Sequence, residues 1–271
     1  MYRMVVTDLD GTLLNNKKQV SEANAKAIQN LKDQNITFVM ATGRSDVMTR
    51  AYTKQLKNID IVIGCDGAVI RNIRTGEILY ENHLRSETCH TTFEICKKYG
   101  LQYYVFAKDE LVSDDPQNER FLIHQKFNQT VEEDEEIPMQ IVDDLNEYVE
   151  NFDPNKFLIS APADYLKTQF EDFRLPFGDM LTICTSAPFY IEVVDNGIDK
   201  GSALRDLSEQ MHVSKDEIIA FGDEMNDLTM LQFAGCGVAM GNAVKPIRLI
   251  ADKITASNDD DGIAVTLEKY L

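Results

Sequence analysis

Two aspartates separated by one residue follow the first apolar run of the chain. Asp8 and Asp10 come directly after Met4–Val6, which has the composition of a buried strand, and Gly11 then allows a sharp turn. In an open α/β sheet, ligands bind beyond the carboxyl ends of the strands. Two carboxylates at that position can share a hard cation, and one of them can attack an electrophile. Taken alone, the stretch also fits an ordinary Asp-Gly turn between two hydrophobic runs.

Polar residues recur where three further predicted elements begin or end. Apolar runs at 36–41 and 218–221 predict strands, and the lysine at position 200 opens a predicted helix. A lysine in a first helical turn opposes the helix dipole, and a bound anion would remove that penalty. Each polar residue could also be a helix cap or part of a surface ion pair, but jointly they supply what a phosphoryl group on magnesium requires. The residues at these positions are Thr42, Gly43, Arg44, Lys200, Asp223, Asn226 and Asp227.

The order of the predicted elements indicates a doubly wound α/β fold. Strands and helices alternate over the first 65 residues and again after residue 194, as they do in mostly parallel, Rossmann-like sheets. Between them the rhythm changes to several short strands with helices among them. We therefore predict a core domain of residues 1–82 and 193–271 with an inserted α+β domain of residues 83–192. Two local patterns concern helix caps. Ser21 is predicted to begin the first helix. The capping-box pattern at 214–217 is interpreted as a false match, because a predicted strand follows it.

Composition limits the partners of the chain. Its 271 residues include 27 basic and 45 acidic ones, for a net charge of −18, so neither nucleic acid nor an anionic membrane is an expected partner. If the substrate is a phosphate, local cations must offset this repulsive field. No apolar run approaches the length of about 18 residues needed to span a bilayer, and the first residues carry no secretory pattern. Five scattered cysteines without a CxxC spacing favour free thiols, and we expect a cytoplasmic protein.

Four short motifs resemble those of a known superfamily. DLDGT at 8–12, Thr42 within ATGR, Lys200, and GDEMND at 222–227 are similar, in this order, to the four motifs of the haloacid dehalogenase superfamily of phosphatases. The insertion falls between the second and third motifs. Together with AMGNAVKPIRLIADKIT at 239–255, it resembles the Cof-type, cap-bearing subclass IIB, in which the inserted domain is a cap.

The resemblance implies separate roles for the two aspartates. Asp8 would be the nucleophile that attacks phosphorus and becomes an aspartyl phosphate. Asp10 would protonate the leaving oxygen and then activate the water that hydrolyses the intermediate. A magnesium ion on Asp8 would keep it ionised and let Asp10 carry a proton.

The same resemblance implies the ligands of the metal and of the phosphate. Mg²⁺ would be held by Asp8, by Asp223 and by the backbone carbonyl of Asp10, with Asp227 as additional support. Lys200 would neutralise the nucleophile and the developing charge. The phosphoryl oxygens would be held by Thr42, Gly43, Lys200 and Asn226, with Arg44 contacting the phosphate or supporting its loop.

The function that this implies is a magnesium-dependent phosphatase acting on small phosphorylated metabolites. Sugar phosphates are the default substrates of the subclass, and flavin mononucleotide or pyridoxal phosphate are further candidates. The cap would close over the core, exclude bulk water and select the substrate. A phosphomutase or other phosphotransferase is one alternative, and a sensor that binds a phosphometabolite without turnover is another, although a sensor has no need of Asp10. The sequence leaves open whether the protein is a monomer or a dimer.

Two features of the sequence leave specific questions. The third predicted strand ends at Asp66, where similar proteins more often have asparagine. An extra negative charge there opposes phosphate binding unless it is paired, so a substrate contact through this position is in question. Tyr103, Tyr104 and Phe106 could contact substrate, but aromatic residues in a strand are more commonly packed in a core.

Overall fold

A computed structural model describes residues 1–56, 59–178, 180–187 and 189–270 of the chain. In chain order, the strands are β1 (Met4–Thr7), β2 (Thr37–Ala41), β3 (Ile61–Gly64), β4 (Val69–Asn72), β5 (Ile78–Glu81), β6 (Gln102–Ala107), β7 (Glu110–Ser113), β8 (Met139–Ile141), β9 (Lys156–Ser160), β10 (Leu181–Ala187), β11 (Tyr190–Asp195), β12 (Ile218–Gly222), β13 (Cys236–Ala239) and β14 (Lys253–Ile254). The α-helices are α1 (Glu22–Asp33), α2 (Arg50–Leu56), α3 (Ser86–Tyr99), α4 (Glu119–Asn128), α5 (Leu145–Val149), α6 (Ala163–Arg174), α7 (Lys200–Gln210), α8 (Leu228–Phe233), α9 (Lys245–Ile250) and α10 (Gly262–Tyr270). Among the described residues, no helix combines the length and the apolar character needed to cross a membrane.

The first sheet, which we call the core sheet, has eight strands in the order β14-β13-β12-β1-β2-β3-β4-β5. Neighbours from β14 to β3 pair in parallel, whereas β4 and β5 add an antiparallel hairpin at one edge. All of β1 is buried, because the central strands of a parallel sheet are covered on both faces. The predicted doubly wound α/β fold is confirmed. The β4–β5 hairpin was not predicted, since its short, partly exposed strands lack a continuous apolar run.

The helix caps confirm one local prediction and correct another. The hydroxyl of Ser21 accepts a hydrogen bond from the backbone N–H of Asn24 at 3.1 Å, as predicted for the start of α1. The interpretation of the pattern at 214–217 as a false match was wrong. Residues 215–217 form one turn of 3₁₀ helix, and Glu217 accepts a hydrogen bond from the Ser214 backbone N–H at 3.0 Å. A single turn fits between the preceding loop and β12, so a capping box does not require a long helix.

The second sheet, which we call the cap sheet, has six strands in the order β10-β11-β9-β6-β7-β8. β7 and β8 pair in parallel and the other neighbours are antiparallel. Helix α3 covers one face, where Phe93 packs against Phe157 and Tyr103 with ring centroids 5.2 and 5.3 Å apart. The proposed limits of the inserted domain, residues 83 and 192, stay predictions, and β11 continues past the second of them to Asp195.

The opposite face of the cap sheet lies against the core. Side chains alternate along a strand, so Tyr104, Phe106 and Leu158 share this face. They pack with Val47 and Cys65, which follow β2 and β3 of the core. The cap sheet therefore covers the carboxyl ends of core strands. Tyr104 and Phe106 are buried in this contact, as the packing interpretation of these aromatic residues predicts.

Candidate active site

The carboxyl ends of three neighbouring strands bring the polar residues together. Strands β12, β1 and β2 are adjacent in the core sheet, so the residues that follow them lie along one edge. Asp8 and Asp10 follow β1, Thr42 follows β2 and Asp223 follows β12. Helix α7 begins with Lys200 and aims this side chain at the same edge. The four separate sequence signals therefore meet in one place.

Lys200 lies between two carboxylates and is fully buried. Its Nζ atom is 2.7 Å from Oδ1 of Asp8 and 2.7 Å from Oδ1 of Asp227. Burial raises the pKa of Asp8 well above its usual value, Lys200 opposes that rise, and Asp227 and Asp223 add to it. The two ion pairs explain why a lysine is tolerated in the first turn of α7, where the helix dipole is unfavourable.

Asp227 uses both carboxylate oxygens within the protein. Oδ1 accepts from Lys200, and Oδ2 accepts from the backbone N–H groups of Asp223 and Glu224 at 2.9 and 3.1 Å. Its side chain lies so close to Gly222 that a Cβ atom there would be 2.6 Å from the Cβ of Asp227. The geometry makes Asp227 an anchor for the loop after β12 and for Lys200.

Asp223 is held by the loop that follows β1. Oδ1 accepts from the hydroxyl of Thr12 at 2.7 Å, and the amide of Asn242 donates to the carbonyl of Gly11 at 2.8 Å. Gly11 has φ +86°, and a Cβ atom there would lie 2.3 Å from Oδ2 of Asp223. Burial and the nearby charge of Asp227 raise the pKa of Asp223 to about 7. This loop can approach so closely only because residue 11 is glycine.

The carboxylates at this edge fit a hard divalent cation. One oxygen from each of Asp8, Asp223 and Asp227 lies within 4.8 Å of the others. Carboxylate oxygens are the ligands that Mg²⁺ prefers, and burial together with the neighbouring carboxylates raises the pKa values of Asp8 and Asp223, a rise that a bound cation would oppose. The residues present therefore fit the predicted metal.

Asp10 forms ion pairs with two cations. Arg44 donates through Nε at 2.7 Å and through Nη2 at 2.9 Å, and Lys18 donates at 2.7 Å. Burial raises the pKa of Asp10, but Arg44 and Lys18 outweigh it and lower that pKa to about 2. In this arrangement Asp10 is ionised and Arg44 contacts a carboxylate, whereas the resemblance implies a proton on Asp10 and Arg44 at the phosphate.

The loop after β2 is arranged by hydrogen bonds of Thr42. Its hydroxyl oxygen accepts from the backbone N–H of Arg44 at 3.1 Å, and its backbone N–H donates to the carbonyl of Ile63 at 2.8 Å. The hydroxyl hydrogen remains available for an anion. The carbonyl of Gly43 accepts a hydrogen bond from Lys156 of the cap sheet.

Asp66, whose extra negative charge would oppose phosphate binding if it were unpaired, is paired with a cation. Nζ of Lys156 lies 2.6 Å from Oδ2 of Asp66 and also binds Glu192. The amide of Asn226, expected at the phosphate, donates to Oδ1 of Asp66 at 3.0 Å. Burial raises the pKa of Asp66, but Lys156, the hydrogen bond with Glu192 and the charge of Lys200 outweigh it and hold that pKa below its usual value. The roles that the resemblance implies for the site residues stay predictions.

Five residues of this region were not singled out from the sequence. Two had a signal, because Thr12 ends the DLDGT motif and Asn242 lies in the AMGNAVKP segment. Lys156 and Glu192 each had a weak signal, because each is a charged residue in a mainly apolar predicted strand. Nothing in the sequence marked Lys18, which lies in a loop. The five are Thr12, Asn242, Lys156, Glu192 and Lys18.

Comparisons with known proteins show the family of the chain. A family model for haloacid dehalogenase-like hydrolases matches residues 5–267, and the chain belongs to this family. A Bacillus subtilis protein named 5-amino-6-(5-phospho-D-ribitylamino)uracil phosphatase is 30% identical over 272 residues, which cover 98% of this chain and 97% of that protein.

Solved structures show the same fold. A haloacid dehalogenase-like hydrolase from Bacteroides thetaiotaomicron is 30% identical with a TM-score of 0.85, and the match covers 100% of both chains. A subclass IIB sugar phosphatase of the superfamily has a TM-score of 0.83 at 22% identity, covering 99% of this chain and 98% of that one. The protein is therefore a phosphatase with the Cof-type, subclass IIB architecture, as the motifs predict.

Proposed function

We propose that this phosphatase is magnesium-dependent and hydrolyses phosphate monoesters of small metabolites through an aspartyl phosphate on Asp8. The observation that carries the proposal is the pairing of Asp8 with the buried ammonium of Lys200 at 2.7 Å beside Asp223. A carboxylate held this way keeps one oxygen for attack while its charge is partly neutralised.

Two carboxylates are suited to hold the metal. Asp8 and Asp223 would contribute oxygens and the Asp10 carbonyl would complete the protein ligands. The two oxygens of Asp227 already accept from the Lys200 ammonium and from two backbone N–H groups, whereas Asp223 accepts from Thr12 at 2.7 Å and from the Asn242 amide at 3.4 Å. We therefore assign Asp227 to anchoring rather than to direct ligation. A bound Mg²⁺ supplies charge neutralisation for the phosphoryl oxygens and for the nucleophile.

Both chemical steps require Asp10 to transfer a proton. Oδ2 of Asp8 attacks phosphorus, the bond to the leaving oxygen breaks, and that oxygen takes a proton from Asp10. Asp10 then accepts a proton from the water that attacks the aspartyl phosphate and releases inorganic phosphate. Since Arg44 and Lys18 keep Asp10 ionised here, the cycle requires Arg44 to leave Asp10. An arriving phosphate dianion offers Arg44 an alternative bidentate partner, and its departure raises the pKa of Asp10.

A small phosphorylated metabolite is the substrate class that the site supports. The cap sheet packs against the core beside the site, and Asp8 and Lys200 are buried. A large phosphorylated macromolecule would therefore not reach them. The relatives include two proteins named for a phosphoribitylaminouracil, and one solved neighbour is named a sugar phosphatase. We therefore propose sugar-phosphate-like substrates, with flavin mononucleotide and pyridoxal phosphate as further candidates for testing.

The test is release of inorganic phosphate by the full chain. The panel consists of p-nitrophenyl phosphate, hexose phosphates, flavin mononucleotide and pyridoxal phosphate, each with Mg²⁺ and with a chelator. We expect release only with the metal and none from Asp8→Asn, whereas Asp134→Asn, an exposed carboxylate paired with Lys54, keeps full activity. Release without metal, or turnover that survives Asp8→Asn, would contradict the mechanism. Phosphate transfer to a sugar acceptor would instead show a phosphotransferase, and binding without turnover would show a sensor.

A further inference from the structure

Three charged side chains from the cap and the core form a buried group that we call the interface cluster: Lys156, Asp66 and Glu192. All three are at most 4% exposed. Lys156 belongs to β9 and Glu192 to the adjacent β11, on the cap-sheet face that packs against the core. Asp66 belongs to the core and follows β3. The cluster is therefore a polar contact between cap and core within a mainly apolar interface.

The interface cluster touches two segments expected to bind phosphate. Lys156 donates to the carbonyl of Gly43, between Thr42 and Arg44. Asp66 accepts from the Asn226 side chain at 3.0 Å, and its own backbone N–H donates to the carbonyl of Thr42 at 3.1 Å. The carboxyl groups lie so close to Gly43 that a Cβ atom there would be 2.8 Å from Glu192 and 3.0 Å from Asp66.

Charge explains why Lys156 is needed for this arrangement. Two buried carboxylates face one ammonium, with the thiol of Cys184 beside them. Without the lysine, the charge of Asp66, and that of Glu192 when it is ionised, would be uncompensated away from water, which strongly destabilises a buried site. Since the ammonium already binds both carboxylates, this cluster is complete without a metal ion.

The contact depends on the position of the cap. Asp8 and Lys200 are buried and the cap packs against the core beside them, so we expect substrate entry to move the cap away from the core. Such a movement withdraws Lys156 from Gly43 and leaves Asp66 as an unpaired negative charge near the phosphate site. Return of the cap removes that repulsion and restores the hydrogen bonds of both loops.

We propose that Lys156 is a positioning residue through which cap closure orders the phosphate-binding loop at 42–44 and the Asn226 side chain. The proposal rests on the proposed phosphatase function. Lys156 itself does not touch the reacting atoms. It places residues that do, and it neutralises Asp66 only in the closed arrangement.

The main experiment compares steady-state hydrolysis of p-nitrophenyl phosphate by wild type, Lys156→Met, Asp66→Asn and the double variant. A misplacement of about 1 Å lowers rates by about 100-fold, so we expect kcat of Lys156→Met to fall by about that factor, with a smaller change in KM. Asp66→Asn keeps the Lys156–Glu192 pair and an oxygen that can accept from Asn226, so its kcat is expected to fall by less than that of Lys156→Met. The double variant is expected to recover about tenfold over Lys156→Met, because it removes the Asp66 charge that Lys156→Met leaves without a cation. Substitutions within one charge network are non-additive in this way.

The matched control is Lys54→Met. Lys54 also joins core to cap, through Asp134 and Glu135, but on the exposed surface. If Lys54→Met lowers kcat as much as Lys156→Met, or if removing Asp66 restores nothing, the positioning role is wrong. If Lys156→Met does not fold, Lys156→Met/Asp66→Asn is compared with Asp66→Asn, and a tenfold lower kcat is still expected.

Hydrogen–deuterium exchange separates failure of this inference from failure of the proposed function. In the unliganded full chain, Lys156→Met is expected to increase exchange at 42–48 and 62–70, with little change in the central strand β1. This readout needs no turnover. Wild type without phosphatase activity would overturn the proposed function alone, whereas active wild type with unchanged exchange and unchanged kcat in Lys156→Met would overturn the positioning role alone.

Discussion

Lys200 and Lys156 have the same electrostatic surroundings in two different regions. Each is fully buried, and each bridges two carboxylates. Lys200 binds Asp8 and Asp227 within the core, so its contacts persist wherever the cap lies. Lys156 reaches from the cap into the core, so its contacts with Asp66 and Gly43 exist only when the two domains meet, whereas its pair with Glu192 lies within the cap. One motif of a lysine between two carboxylates can thus serve as a permanent part of a site or as a conditional one.

The largest difference between the two lysines is expected in activity. Lys200→Met removes the cation beside the nucleophile, and loss of such electrostatic stabilisation lowers kcat by about 10³-fold or more. It also leaves Asp8 and Asp227 unpaired, which costs about 3–5 kcal/mol of unfolding free energy. Phosphate release and urea unfolding measure both effects. A kcat of Lys200→Met that is higher than the kcat of Lys156→Met would contradict this prediction.

Two glycine substitutions compare the site around Lys200 with the interface cluster around Lys156 by crowding a side chain in each. Gly11→Ala places a Cβ 2.3 Å from Asp223, whereas Gly43→Ala places one 2.8 Å from Glu192. We expect about a 100-fold loss of kcat for Gly11→Ala, where the proposed metal ligand is displaced, and about tenfold for Gly43→Ala. Gly76→Ala is the control, since Gly76 also has positive φ but no atom lies within 4 Å of its Cβ position. Equal losses for Gly11→Ala and Gly76→Ala would indicate backbone strain alone.

Metal addition distinguishes the two acidic groups. One contains Asp8, Asp223 and Asp227, and the other contains Asp66 and Glu192. Mg²⁺ at about 100 times its Kd is expected to stabilise the protein by about 2.7 kcal/mol. Thermal unfolding with and without the metal should show this shift in Asp66→Asn but not in Asp223→Asn. A stabilising shift in Asp223→Asn but not in Asp66→Asn would indicate that the metal binds at the interface cluster instead.

The smallest expected effect is a pH dependence of stability from Glu192. Burial and the neighbouring Asp66 raise the pKa of Glu192 to about 7, although Lys156 opposes the rise. The titratable side chains of Cys184, Cys65 and Tyr104 also lie near Glu192. An unfolded glutamate has a pKa of about 4.3, so between these values the folded chain binds more protons and stability falls as pH rises. That loss is complete above about pH 7.

Glu192→Gln removes this dependence. Relative to wild type, we expect the variant to gain on the order of 1–3 kcal/mol between pH 5 and pH 8, as measured by urea unfolding at both pH values. Asp134→Asn serves as the exposed control. Parallel pH profiles of wild type and Glu192→Gln would show that Glu192 is ionised throughout this range.

Much of the core was predictable from the sequence, whereas the cap-to-core contacts were not. Asp8 follows an apolar run, and parallel strands end along one edge, so its meeting with Lys200 and Asp223 follows from the element order. Arg44, expected to contact the phosphate or to support its loop, forms an ion pair with Asp10. Asn226, expected near the phosphate, donates to Asp66.

The sequence by itself determined the α/β order, the strand ends that carry the chemistry and the family of the protein. Those features are local, since hydrophobic period, glycine positions and motif spacing act over a few residues. Only the tertiary structure decided that Asp66 is paired and that Lys156 pairs it. The two residues are 90 positions apart and lie in different sheets, so nothing in the neighbourhood of either one specifies the contact. The docking of the cap on the core brings them together, because two buried carboxylates at that interface require a cation.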